Sequence, residues 1–196
     1  MKEDSFWKII KADILRYTGS SKAGVRAMIK NWWINDGFLA VYIILFRIGQ
    51  KIIQLKIPLL PTLIKIIYAI PSIFLGVRIS FKAKIGKGFF IGHYGGIFIG
   101  PIEIGKYCNV SHQVSIGIGN IGRDSTGKHG VPKIGEYVYI GPGAKLFGNI
   151  RIGNNVSIGA NAVVSKDIPD NAIVVGNPGR IVSYQDKNQY IHNVYE

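Results

Sequence analysis

From position 79 the chain places an aliphatic residue at every sixth position. The series runs Ile79, Ile85, Ile91 and Ile97, slips by one at Pro101, and resumes at Ile104, Val110 and Ile116. It returns at Ile134, Ile140, Leu146, Ile152, Ile158 and Val164, which makes thirteen hexads. Glycine usually follows directly, as at Gly86, Gly92, Gly105, Gly135, Gly141 and Gly153, and a small or apolar residue often sits four places on, as at Ala83, Val114 and Ala144. A period of six fits neither a helix at 3.6 residues per turn nor a two-faced strand at 2. It describes the flat sides of a triangular prism, with aliphatic side chains stacked inward and glycines at corners where φ turns positive. Three hexads per coil predict a left-handed parallel β-helix of a little over four coils. Residues 117–133 interrupt it: Ile116 to Ile134 is 18 residues, one coil in length, without clean hexads. Five glycines, Asp124, Ser125 and Pro132 mark an excursion loop, and loops of this length on a rigid frame are commonly functional.

Residues 1–78 follow a helical period instead. Ile9, Ile10, Ile14 and Tyr17 share one helix face, as do Val25, Met28, Ile29, Trp32 and Trp33. Residues 38–55 predict an apolar helix interrupted by Arg47 and Lys51. Leu63–Ile70 predicts a shorter one among Pro58, Pro61 and Pro71. The expected organisation is therefore a mainly β protein: a helical region over 1–78, the β-helix over 79–169, and a tail over 170–196. The uninterrupted apolar run at 38–46 is nine residues, against the ~20 that span a bilayer. Helices packed on the solenoid, or a peripheral membrane face over residues 38–77, fit better than a transmembrane span.

Charge sharpens this picture. The net charge is +13 over 196 residues, and residues 1–90 carry 15 Lys/Arg against 4 Asp/Glu. These cations share their stretch with the longest apolar runs, which suits a membrane surface or an anionic ligand better than a nucleic-acid groove. No base-stacking platform or DNA-reading helix accompanies them, so no nucleic-acid partner is expected. The single cysteine, Cys108, builds neither a disulfide framework nor a cysteine zinc site. Without an evident secretory signal, the expected location is cytoplasmic, with the inner membrane face as a possible peripheral contact.

The hexads together with IGHYGGIFIG (91–100), KLFGNIRIG (145–153), VVGNPGRIV (174–182) and the Phe46–Gly49 tetrad resemble the serine acetyltransferase family. The resemblance covers roughly residues 38–183. It implies acetyl-CoA as acyl donor, no metal, and a homotrimer with the cofactor cleft between subunits. His93 falls on the family's catalytic histidine, and an imidazole can take the proton of an attacking hydroxyl at neutral pH. His129 resembles a second active-site histidine, and Lys128 stands where the family holds a substrate carboxylate with arginine. His112, two residues after Val110, could line the same cleft. For the donor, the resemblance points to Pro142 and Ala160 on stacked corners, with Gly143 supplying the N–H that Pro142 lacks. Ser165, Lys166 and Arg180 would lie near the adenosine phosphates. The γ-type carbonic anhydrases share this solenoid and hold a metal with three histidines, but the HYGG and Pro-Gly-Arg segments resemble the acyltransferases.

Three departures bear on the acceptor. The family's orienting aspartate fifteen residues before the histidine is Arg78 here, the aspartate directly before it is Gly92, and a helical-domain aspartate aligns with Ser21. Arg78 is accordingly a candidate substrate contact. Glu103, Asp124 or a backbone carbonyl could orient His93. Loss of groups that hold an ammonium predicts an acceptor without one, so the expected reaction is acetyl transfer to a hydroxyl of a sugar or polysaccharide precursor. The alternatives are serine O-acetylation for cysteine biosynthesis and a non-catalytic membrane-associated scaffold.

Overall fold

The computed structural model describes residues 4–19, 37–55, 57–118 and 130–194. The hexads build three parallel faces, with strands numbered in chain order. The first face stacks β1 (Val77–Ile79), β4 (Ile97–Ile99), β7 (Ser115–Gly117), β10 (Lys145–Phe147) and β13 (Val163–Val164). The second stacks β2 (Lys84–Ile85), β5 (Glu103–Ile104), β8 (Lys133–Ile134) and β11 (Arg151–Ile152). The third stacks β3 (Phe90–Ile91), β6 (Asn109–Val110), β9 (Tyr139–Ile140), β12 (Ser157–Ile158) and β14 (Ala172–Val175). This is a parallel solenoid of the left-handed β-helix type. Its interior is the column of buried aliphatic side chains: Ile79, Ile99, Ile116 and Leu146 stack inside the first face.

Register corrects the hexad frame at two places. Ile79 pairs with Ile99, not Ile97, and Ile99 with Ile116. The corner after Ile91 is therefore two residues longer than a hexad, and the following side is one shorter. Counting by six saw only the net slip. Above Val164 the chain pairs Ile168 with Ile152 and Val174 with Ile158, closing a fifth coil whose spacing hides it from a strict period. β15 (Arg180–Tyr184) then folds back antiparallel on β14.

Gly88, Gly95, Gly96 and Gly143 take the positive φ expected of corner glycines, but the hexad glycines have a different cause. Most of those directly after the inward aliphatic residue, Gly92 among the exceptions, are needed because consecutive corners nearly touch. A Cβ on Gly105 would lie 2.5 Å from the carbonyl oxygen of Gly135 in the next coil. Positive φ falls two residues later, at Gly88, Tyr107, Tyr137 and Asn155. Gly105→Ala should thus cost on the order of 1–3 kcal/mol by overpacking. A thermal melt lowered by several degrees checks this.

The interruption between β7 and β8 is an insertion in one corner. Ile104 pairs with Ile134 across 30 residues, whereas Ile134 pairs with Ile152 across 18, so twelve residues are added. The strands on either side keep their register.

Helices α1 (Phe6–Thr18), α2 (Gly37–Gln54) and α3 (Leu60–Leu75) cover the first coil. The second amphipathic segment expected from the sequence, residues 25–33, lies outside the described residues. Ser5 caps α1, its side chain accepting from the Lys8 N–H. α2 is 18 residues long with a mean hydropathy of 1.3. Leu39, Tyr42, Ile43 and Phe46 are wholly buried, as in a core helix. α3 runs through Pro71 instead of stopping before it. The Tyr42 hydroxyl lies 3.3 Å from that of Ser72, which helps hold the last turn in place.

A solenoid's first coil has a free lower edge, and the helices satisfy it with polar side chains. Asp13 accepts the Phe89 N–H at 2.9 Å, and the Tyr17 hydroxyl accepts that of Ile91 at 2.9 Å. Arg47 donates to the carbonyls of Ile85 (2.6 Å) and Gly86 (2.8 Å), and pairs with Asp13 at 2.9 Å. Burial pushes the Asp13 carboxyl above its ordinary range, opposed by Arg47 and the Phe89 N–H. Tyr42 donates to the Val77 carbonyl at 2.7 Å, and Gln50 to that of Ala83 at 2.7 Å. On the third face, Arg16 stacks over Phe90 and donates to Asn109, while Tyr190 of the tail stacks on Tyr139.

Candidate functional site

The corner joining the third face to the first forms one continuous edge. Each of its residues stands two places after an inward aliphatic side chain: His93 after Ile91, His112 after Val110, Pro142 after Ile140, Ala160 after Ile158. A backbone ladder holds the edge together. Gly95 donates to the Leu75 carbonyl at the end of α3 (2.9 Å), and Gln113 donates to Gly95 (2.7 Å). Gly143 donates to His112 (3.0 Å) and Asn161 to Pro142 (2.8 Å).

At the lower end the two imidazoles meet edge to face, with centroids 5.7 Å apart and planes at 66°. His93 is exposed and His112 half-buried, and the Nδ1 of His112 is enclosed without a protein partner among the described residues. The two extra residues of this corner, with Gly95 at φ 103° and Gly96 at φ 68°, carry His93 and Tyr94 outward. β-branched or bulky residues would be strained at such φ values. The arrangement offers a hydroxyl acceptor a proton-accepting imidazole at an open corner, backed by a second imidazole.

The expected donor positions fall out as follows. Pro142, Gly143 and Ala160 follow the histidines along the same edge. The Gly143 N–H does not take over for Pro142, because it is already donated to the His112 carbonyl. Ala160 is exposed, and its N–H, like those of His93 and His112, has no backbone partner among the described residues. A small side chain with a free amide on a flat ledge fits an extended, amide-bearing arm such as that of acetyl-CoA. Arg180 pairs with Val175 beside the upper end of this edge. Ser165 and Lys166 follow β13 at the next corner, across the first face from it. Lys128 and His129 lie outside the described residues, as do Ser21 and Asp124.

Arg78 is exposed on β1 and points outward on the first face, in register with Phe98 of β4. Phe98, Ser115 and Lys145 continue that outward row, and Lys145 donates to the Gln113 carbonyl. Sequence reasoning missed Tyr94, Phe98 and Lys145. For Phe98 and Lys145 the available signal is their place directly before an inward aliphatic side chain, which reads as ordinary surface until the corner is known. Glu103 does not orient His93: it sits on the second face, 3.0 Å from Lys84, which with Lys133 holds its carboxyl below the ordinary range. Among the described residues no group of three His, Cys, Asp or Glu could hold a metal ion.

The bacterial transferase hexapeptide (six repeats) family matches residues 132–166. A serine acetyltransferase of Synechococcus elongatus is 37% identical over 147 residues, covering 74% of this chain and 57% of that protein. One from Bacillus pumilus is 35% identical over 183 residues, covering 93% of this chain and 80% of that protein. The chain thus spans little more than half of the first relative and four fifths of the second. The crystal structure of a Brucella abortus serine acetyltransferase in complex with coenzyme A superposes with a TM-score of 0.74 at 26% identity. It covers 91% of this chain and 68% of that one.

These relatives overturn the expectation of a sugar or polysaccharide acceptor, since they are serine acetyltransferases along nearly the whole chain. That expectation rested on carboxylates found missing by counting back from His93. Arg78, fifteen residues back, lies on an exposed strand below a lengthened corner, and Ser21 and Asp124 lie outside the described residues.

Proposed function

Because the chain belongs to the serine acetyltransferase family, we propose that it transfers the acetyl group of acetyl-CoA to the hydroxyl of L-serine, as a cytoplasmic homotrimer. The observation that carries this reading is the similarity to the Bacillus pumilus relative over 93% of this chain and 80% of that one. The histidine pair on an edge of small residues supports it.

In this reading His93 takes the proton of the serine hydroxyl as the oxygen attacks the thioester carbonyl carbon. The C–S bond breaks, and the imidazolium returns the proton to the departing sulfur, giving O-acetylserine and free CoA. His112 holds the His93 ring edge-on. The Ala160 N–H donates to a carbonyl of the pantetheine arm, and Arg180 meets a phosphate, where a guanidinium is well suited. His129 and Lys128, from the inserted loop, complete the acceptor side, with Lys128 on the serine carboxylate. The exposed first face around Arg78 and Phe98 supports a neighbouring subunit beside this edge.

Acetyl-CoA turnover followed by free-thiol release, with L-serine as acceptor, tests the reading. Burial pushes the Cys108 thiol up to about 12, so the protein's own sulfur adds no background. Saturable serine-dependent release supports the proposal, and release unaffected by serine refutes it. Arg180→Ala should raise KM for acetyl-CoA roughly tenfold while kcat is kept, the loss of one charge-assisted contact.

A further inference from the structure

α3 buries only Ile64 and Tyr68 along its sixteen residues. On the opposite side Leu63, Ile66, Ile67, Ile70, Ile73 and Phe74 lie between 43% and 84% exposed. At 100° per residue these six fall within an arc of about 120°, a single unbroken apolar stripe. Stripes of this kind on a soluble surface mark an interface.

Charge decides what covers it. Between Gly37 and Ile102 the sequence holds eight Lys/Arg and no Asp or Glu. Arg47, Lys84 and Lys87 pair with Asp13, Glu103 and Asp4 from outside the segment, which leaves five cations in the segment that carries the stripe. Lys51 on α2 and Lys65 on α3 are both exposed. A second copy of this chain would bring the same sign against itself. An anionic lipid surface meets both features at once, because apolar side chains enter the acyl boundary while lysines contact headgroups.

We propose that the outward stripe of α3 docks this protein on the surface of an anionic bilayer. The stripe ends at Phe74, and the next carbonyl, that of Leu75, accepts the Gly95 N–H of the histidine corner. Docking therefore sets the lower end of the His93 edge near the lipid and leaves the upper coils in water. The inference goes beyond serine acetylation and holds whichever acceptor the site takes.

Vesicle co-sedimentation of the full chain tests it, comparing phosphatidylcholine alone with phosphatidylcholine containing phosphatidylglycerol. The expected result is partition onto the anionic vesicles, weakened by high salt. Ile66→Glu/Ile70→Glu should lower that partition at least about tenfold, with the thermal melt and serine-dependent turnover kept. Lys51→Glu/Lys65→Glu, which leaves the stripe intact, should lower it too and serves if the first variant folds poorly. Equal partition onto both vesicle types overturns the proposal. So does partition unchanged in both variants, or a wild-type oligomer that Ile66→Glu/Ile70→Glu dissolves while no vesicles are bound. Turnover measured separately on the same samples distinguishes failure of docking from failure of the enzymatic reading.

Discussion

Replacing His93 with alanine should lower kcat for acetyl transfer by about 10²–10⁴, the usual contribution of a positioned general base. The change removes a side chain from an exposed corner whose backbone is held by Leu75 and Gln113, so the fold should be indifferent to it. KM for acetyl-CoA should stay within about twofold, since loss of a group acting on the transition state leaves ground-state binding alone. Steady-state kinetics with the thermal melt as control separate these effects. A kcat reduced less than tenfold would move the base elsewhere, with His112 next in line at a centroid distance of 5.7 Å.

The largest effect on stability should come from Arg47→Met. The substitution leaves the Asp13 carboxylate buried without its partner and strips the donors from the carbonyls of Ile85 and Gly86. Removing one member of a buried ion pair typically costs about 3–5 kcal/mol, mostly from the stranded charge. Urea unfolding should show a midpoint shift of that size with an unchanged m-value. Asp13→Asn should be milder, because an amide oxygen can still accept the Phe89 N–H. The double change Asp13→Leu/Arg47→Met should recover part of the loss, which identifies the stranded charge as its source.

Arg47 also shows where the sequence stopped being legible. The solenoid could be read because its signal is local and repeated: inward Ile134, Ile140, Leu146, Ile152 and Ile158 recur every six residues. Arg47 read as an interruption of an apolar helix, yet it joins Asp13, Tyr42 and Gln50 in closing the free edge of the first coil. Its partners lie 34 and 38 positions away, and Asp13 reaches 76 positions to Phe89, separations that no local pattern encodes. The hexad glycines were found but misread. Their spacing is in the sequence, whereas the 2.5 Å approach of Gly105 to the next coil is a property of stacking. At the site, His93, His112, Pro142 and Ala160 could be assigned to one corner from their hexad phase. The availability of the Ala160 N–H and the commitment of the Gly143 N–H required the backbone ladder. The acceptor was inferred from missing acids near His93, and the similarity to a serine acetyltransferase over 93% of the chain overturns it.

The insertion between β7 and β8 makes the solenoid a modular chassis. Its two ends are anchored by strands that pair normally with the coils above and below, so the frame does not sense what lies between them. Doubling the length of a flexible loop adds only about 0.6 kcal/mol of closure cost. The twelve extra residues can therefore be lengthened, shortened or exchanged while the histidine edge stays where it is. Loop composition and scaffold stability become separately adjustable quantities: substitutions in the loop should leave the thermal melt unchanged, and substitutions in the coils should move it.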